Sequence, residues 1–312
     1  MINVVQLTKN FGEFRAVDHL SFSVTAGEIL GFMGPNGAGK STTMRMIAGV
    51  LRPSSGTAEV CGFDILNDSI RAREKIGYLP ESSPLYNEML IHEFLMFAGA
   101  VRGLVGKELQ KRVDFVLEIT ALEDVRFALI ENLSKGYRQR TCLAQSLMAD
   151  PQVLILDEPT DGLDPNQKYE VRSLIKRMSE KRTILISTHI LEEIEAVCTR
   201  AIIIAKGRIV ADGTPDELLA KSSYHNAVSL IVNHTNDKEL ILKLKQVTGV
   251  RDVQSLVSKT ADTASFLIFP ERETSILEQV ENFVHQQRLH VERLYLEKGR
   301  LNEVFRQVTI QL

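Results

Sequence analysis

Residues Gly34-Pro35-Asn36-Gly37-Ala38-Gly39-Lys40-Ser41 have the types and spacing that hold a phosphate. Glycines let the backbone curl so that successive N–H groups point inward at phosphate oxygens. A helix predicted to begin near Lys40 adds the positive end of its dipole. In this pattern Lys40 reaches the β- and γ-phosphates of a nucleotide, and the Ser41 hydroxyl binds Mg²⁺. Thr42 follows in the same first turn. Further along, the apolar run Val153-Leu154-Ile155-Leu156 ends in two acids, Asp157 and Glu158. Many strands end in an acid, so the pair gains meaning only beside a phosphate loop. There, Asp157 would hold Mg²⁺. Glu158 would orient or deprotonate an attacking water.

This chemistry needs a strand before the loop and a helix after it. Ile29-Leu30-Gly31-Phe32-Met33 is short and apolar, as a buried parallel strand is. A helix is predicted from Ser41 to Gly49, with that glycine as its stop. Leu20-Ser21-Phe22-Ser23-Val24 alternates like a half-buried strand. Residues 88–150 change to helical spacing. Leu90, Phe94, Leu95, Phe97 and Ala98 recur as an inward helix face, and Val113, Val116 and Leu117 recur in a second helix. A third helix is predicted from Ser134 to Met148, with Leu143, Leu147 and Met148 inward. Strands return at 153–156 and 183–186 with a helix between them, which argues for a parallel α/β sheet. A hairpin spans Ala201 to Val210 and turns at Lys206-Gly207. Near Lys221 the pattern resets to strand 226–233, helix 237–247, strands 250–257 and 264–270, helix 274–287 and strand 289–296, with a short helix from Leu301. That order is a ferredoxin-like signature. His285 and His290 there are read as surface or packing residues.

The chain has 312 residues, 44% hydrophobic and 25% charged, enough for one large domain or a medium one plus a small one. Its formal net charge is -3, which lacks the basic excess of a nucleic-acid binder. Cys61, Cys142 and Cys198 are far apart and form no CxxC pair, so no disulfide framework or zinc site is expected and a reducing compartment fits. Cys142 is read as a small packing residue. No segment approaches the roughly 18 apolar residues of a membrane span. The N-terminus alternates like a strand and is not read as a secretory signal.

Several motifs together resemble the ABC ATPase family, over about residues 2–220. Leu133-Ser134-Lys135-Gly136-Tyr137-Arg138-Gln139-Arg140 resembles that family's signature, LSGGQ, at the start of a helix. Ser134 and Gly136 match it, whereas Lys135 and Tyr137 replace the usual Gly and Gln. The variant is similar to one in a bacterial subgroup of drug-export and gliding-motility ATPases. Asp157-Glu158-Pro159-Thr160-Asp161-Gly162-Leu163-Asp164-Pro165 resembles the Walker B strand entering the D-loop. His189, after Thr188, resembles the switch histidine, and Phe11 stands where the family stacks an aromatic on adenine. Glu81, in Tyr78-Leu79-Pro80-Glu81, replaces the Q-loop glutamine and would meet Mg²⁺ or water. Leu301-Asn302-Glu303-Val304-Phe305 resembles the subgroup's closing helix.

The resemblance implies an α/β fold: a P-loop ABC ATPase core with an antiparallel β subdomain and a helical insert, residues 1–220. A small α+β ferredoxin-like accessory domain, residues 221–312, would follow. It implies ATP and Mg²⁺ as ligands, with Lys40, Glu158 and His189 catalytic and Ser41, Asp157 and Glu81 near the metal. The loop from Gly34 to Thr42 and Phe11 would bind the nucleotide, and Ser134 and Gly136 would cover it in trans. It also implies a homodimer, or a heterodimer with a related ATPase, beneath a membrane-spanning permease on the cytoplasmic face. Export is the expected direction, and residues 82–104, including Leu85, Tyr86, Met89 and Phe94, are the expected permease contact. One competing reading is a regulatory module that binds ATP without hydrolysing it, against which Glu158 and His189 argue; the other is a soluble ABC ATPase acting on ribosomes or DNA. Repair-type relatives place a long coiled coil between Lys40 and Asp157, and translation-type relatives carry two cassettes. This chain has neither.

Overall fold

The computed structural model describes residues 1–82, 84–233, 237–256, 263–271 and 274–310. They form two compact units, one from Met1 to Pro215 and one from Asp216 onward.

The first unit holds two sheets. In the smaller one, β1 (Ile2–Phe11) pairs antiparallel with β2 (Phe14–Val24). The alternation in β2 is realised: Leu20, Phe22 and Val24 are buried while Ser21 and Ser23 face outward. The larger sheet contains β3 (Ile29–Met33), every residue of it buried. The phosphate loop leads from β3 into α1 (Lys40–Ile47), which begins one residue before the predicted start. Next come β4 (Ser55–Val60) and β5 (Phe63–Asp64), which complete the small sheet in the order β2-β1-β4-β5. After α2 (Ser69–Glu74), β6 (Ile76–Leu79) rejoins the large sheet.

The helical insert consists of α3 (Ile91–Val101), α4 (Gly106–Ile119) and α5 (Lys135–Ser146). Phe94, Leu95, Val113, Val116, Leu117 and Leu143 share one core with Leu147 and Met148. Phe97 departs from the sequence reading. It is 46% exposed and meets the ring of Tyr86 edge-on at 5.7 Å. A 3.6-residue repeat leaves Phe97 at the border of the apolar stripe, and the core side of that stripe is filled by Phe94, Leu95 and Ala98.

The chain then returns to the large sheet through β7 (Val153–Asp157), α6 (Pro165–Ser179), β8 (Thr183–Thr188), α7 (Leu191–Val197), β9 (Arg200–Ala205) and β10 (Arg208–Gly213). The sheet order is β10-β9-β3-β8-β7-β6, parallel except for β10 at one edge. A strand between two layers is apolar on both faces. In β7, Leu154 and Leu156 face the helical insert, while Val153 and Ile155 face the core that holds α1 and the small sheet. Strand β8 lies between β3 and β7, with Met33 opposite Thr188 and Asp157 opposite Ser187. The C-terminal ends of β3, β8, β7 and β6 therefore meet along one edge. In open α/β sheets that edge is where ligands bind.

The second unit contains α8 (Pro215–Leu219), whose first residue falls on the boundary, then β11 (Val228–Asn233), α9 (Asp237–Leu244), β12 (Val250–Leu256), β13 (Thr263–Pro270), α10 (Leu277–Gln286), β14 (His290–Leu296) and α11 (Leu301–Ile310). Its antiparallel sheet has the order β12-β13-β11-β14, with the first and third strands of the βαββαβ unit in the centre. Phe266 and Ile268 of β13 pack with Leu240, Leu244 and Val280. Leu267 and Phe269 turn to the opposite face, beside Tyr224. Among the described residues, no helix is long and apolar enough to cross a membrane.

Candidate functional site

The loop between β3 and α1 is shaped by its glycines. Gly37 and Gly39 have φ of +79° and +103°, a region that L side chains rarely adopt. At Gly39 a Cβ would also approach the Ala16 carbonyl oxygen to 2.5 Å, so a larger residue is excluded twice. Lys40, only 6% exposed, folds back over the loop, and its Nζ donates to the Gly34 carbonyl at 2.8 Å and the Pro35 carbonyl at 3.4 Å. The same ammonium lies 3.6 Å from Glu158 Oε1.

Asp157 ends β7 fully buried. Its Oδ1 accepts from the Ser41 hydroxyl at 3.0 Å and from the Ser187 hydroxyl. Its Oδ2 is buried without a hydrogen-bond partner among the described residues. An orphaned carboxylate oxygen beside a serine hydroxyl suits a hard divalent cation, which takes oxygen ligands. Ser41 and Asp157 therefore fit Mg²⁺.

Glu158 has φ of +51°, costly for a residue with a side chain. The turn is held by its N–H, which donates to the Ser187 hydroxyl at 3.0 Å. The side chain thereby leaves the strand direction, and its carboxylate lies between Lys40 and His189, whose Nδ1 is 2.8 Å from Glu158 Oε2. Glu193, in the first turn of α7, is buried and accepts from the hydroxyls of Thr188 (2.6 Å) and Thr160, with Arg172 at 3.6 Å. Burial pushes its carboxyl above the usual range. Glu193 thus ties together the segments that follow β7 and β8. Nothing in its local spacing marks it, because its partners come from two separate strand ends.

A cleft of about 610 Å³ opens at this edge. It is lined by Asn36, Gly37, Gly39, Lys40, Ser41, Thr42, Glu81, Glu158 and His189, together with Phe11. Gly34 and Pro35 supply the carbonyls that hold Lys40, and Ala38 is buried beneath the loop. Three further lining residues, Ala16, Asp161 and Phe14, lie outside the sequence reading of the site. Phe14 stands opposite Phe11 in the β1–β2 register, and the rings are 63% and 51% exposed. The short Gly12-Glu13 turn between two aromatics was the signal that could have found it. Exposed rings flanking a phosphate loop are suited to stacking on a base.

Ser134 and Gly136 do not line this cleft. Ser134 caps α5, accepting from the Tyr137 N–H at 3.4 Å. Gly136 is buried, and a Cβ there would press to 2.6 Å against the Gln167 amide. The α5 N-terminus, with its donors and positive dipole end, therefore stands apart from the chain's own cleft.

A family model described as ABC transporter matches residues 17–161. The probable multidrug ABC transporter ATP-binding protein YbhF of Escherichia coli is 41% identical over 224 residues, 72% of this chain and 39% of that protein. The chain therefore spans well under half the length of that relative. The linearmycin resistance ATP-binding protein LnrL of Bacillus subtilis is 35% identical over 254 residues, 81% of each chain. A bacterial ABC transporter cassette solved as a dimer is 25% identical with a TM-score of 0.64, over 69% of this chain and 99% of that one.

Proposed function

The chain belongs to the ABC transporter family of ATP-binding proteins, and we propose that it is the ATP-hydrolysing subunit that powers export through a separate membrane-spanning subunit. The observation that carries this reading is the meeting of Lys40, Ser41, Asp157, Glu158 and His189 at the ends of three neighbouring strands. A phosphate-binding loop alone would bind a nucleotide. A carboxylate held between a lysine and a histidine, one residue after the metal-ligand position, can also act on water.

In this reading the loop N–H groups and Lys40 hold the phosphates, and Phe11 and Phe14 flank the base. Ser41 and Asp157 hold Mg²⁺, with Glu81 facing the same cleft. The ion supplies charge neutralisation on the phosphoryl oxygens. Glu158 orients the attacking water and accepts its proton, and His189 fixes the Glu158 carboxylate by its 2.8 Å contact. Catalysis is mostly positioning and charge stabilisation.

Ser134 and Gly136 would reach the nucleotide of a second subunit, because they stand outside their own cleft. A dimer with two such sites follows, in line with the dimeric relative. ATP closes it and hydrolysis releases it, a difference in affinity between two states that a partner reads as motion. The aromatic pair Tyr86 and Phe97, both exposed, with half-buried Leu85 and Met89 beneath, is the proposed contact for the membrane subunit. In this reading the protein sits on the cytoplasmic face of the membrane. The relatives' names, one a multidrug ABC transporter protein and one a linearmycin resistance protein, favour export.

The test is recovery of the tagged protein from detergent-solubilised membranes, with its companions identified by mass spectrometry. A stoichiometric multi-span membrane protein is expected. Recovery from the soluble fraction with ribosomal or DNA-repair proteins only would replace transport by the soluble-ATPase reading.

We assign the second unit an accessory role, since the residues described as lining the nucleotide cleft belong to the first unit. A chain ending at Lys221 is expected to turn over ATP but to dimerise less readily, as read by light scattering at matched concentrations. Unchanged dimerisation and turnover would remove that role.

A further inference from the structure

Lys135 opens α5, at the end of a helix where the macrodipole disfavours a cation. No acid stands in the first turn of α5 to offset it. The compensation comes from another element. Lys135 Nζ is 3.2 Å from Asp161 Oδ2. Its side chain runs along the backbone of Gly162, where φ is +64° and a Cβ would lie 2.9 Å from Lys135 Cε and 3.2 Å from its Cδ. Gly162 therefore leaves a track that the lysine stem occupies. Asp161 in turn lines the nucleotide cleft, and its N–H donates to the Glu158 carbonyl at 3.1 Å.

A carboxylate on the wall of a cleft built for phosphates opposes its ligand. We propose that Lys135 is a positioning residue that neutralises Asp161 and thereby ties the first turn of α5 to ATP binding in the same chain. The proposal deepens the ATP-hydrolysis reading and rests on it. When α5 holds its turn against Gly162, the Asp161 side of the cleft wall is neutral. When the turn moves away, the wall becomes anionic and the nucleotide is held less well. By linkage, bound nucleotide favours the position in which Lys135 covers Asp161. The α5 turn of each chain thus reports on that chain's own cleft.

Both side chains are more than half exposed, so the ion pair contributes modestly and is screened by salt. The test is a double-mutant cycle on the full chain in the Glu158→Gln background, which keeps ATP unhydrolysed, reading the Kd for Mg-ATP. At about 50 mM salt, Lys135→Ala is expected to weaken binding about three- to fivefold, and at about 500 mM the difference closes. Lys135→Arg keeps the parent affinity. Relative to Asp161→Asn alone, adding Lys135→Ala costs less than about twofold. Equal binding by Lys135→Ala and its parent at low salt overturns the proposal. So does a loss that persists undiminished beside Asp161→Asn, because Lys135 would then act on the nucleotide directly. A parent that binds no ATP overturns the nucleotide reading itself, a result distinct from either.

Discussion

Glu158→Gln binds ATP at least as tightly as the parent chain, while its steady-state turnover falls by about 10²- to 10⁴-fold, the range a general base contributes. The geometry separates the two effects. Glu158 is not part of the phosphate loop. It faces the cleft from the end of β7, between Lys40 at 3.6 Å and His189 at 2.8 Å. An amide has nearly the same shape and can still meet His189, so the +51° turn has no new reason to relax. The amide lacks the negative charge that competes with phosphate for the Lys40 ammonium, which favours an anionic ligand. It also lacks the basicity needed to take a proton from water. Parallel measurement of Mg-ATP affinity and phosphate release checks both halves. Undiminished phosphate release would falsify the assignment of Glu158 as the base.

Lys40→Ala weakens ATP binding by about 10- to 100-fold, the loss expected when a charge-assisted contact is removed from a desolvated site. Lys40 is nearly inaccessible to solvent, and its amine is held by the Gly34 and Pro35 carbonyls at the mouth of the loop. The ammonium is therefore fixed before the nucleotide arrives and is not recruited by it. Removing it leaves the loop N–H groups and the α1 dipole, which still attract an anion, so affinity is reduced and not abolished. Nucleotide titration by calorimetry reads the loss, and thermal unfolding without ATP verifies that the chain is folded. A folded variant with the parent's Kd would remove the loop from the site. The two variants fail in opposite ways, one in turnover and one in binding, which separates the roles of two residues that touch each other.

Much of this was legible because it is local. Gly34 to Ser41 specify a curled loop by residue type alone, and Val153 to Glu158 specify a buried strand ending in acids. The βαββαβ order of the last third follows from period-2 and period-3.6 patterns that any short window displays. The helix predicted from Ser134 begins at Lys135, with Ser134 as its cap.

Other features depend on strand order, which no window contains. Helix-linked parallel strands can be inserted in several orders, and the sequence does not say that β8 lies between β3 and β7. That insertion places Ser187 against Asp157 and brings His189 to Glu158. Phe97 shared its helical spacing with core residues and faces outward, because the neighbouring side chains had already filled that core. The Thr160–Glu193 and Lys135–Asp161 pairs each span more than twenty residues of sequence, and their chemistry exists only after packing. The sequence by itself determined which groups are present: a glycine-rich loop before a helix, two acids at a strand end, a histidine after the next strand and a serine before a helix. The tertiary structure decided which of them share a cleft. Residue type and spacing act over one turn or one strand, whereas register and strand order are set by burying both faces of a sheet at once.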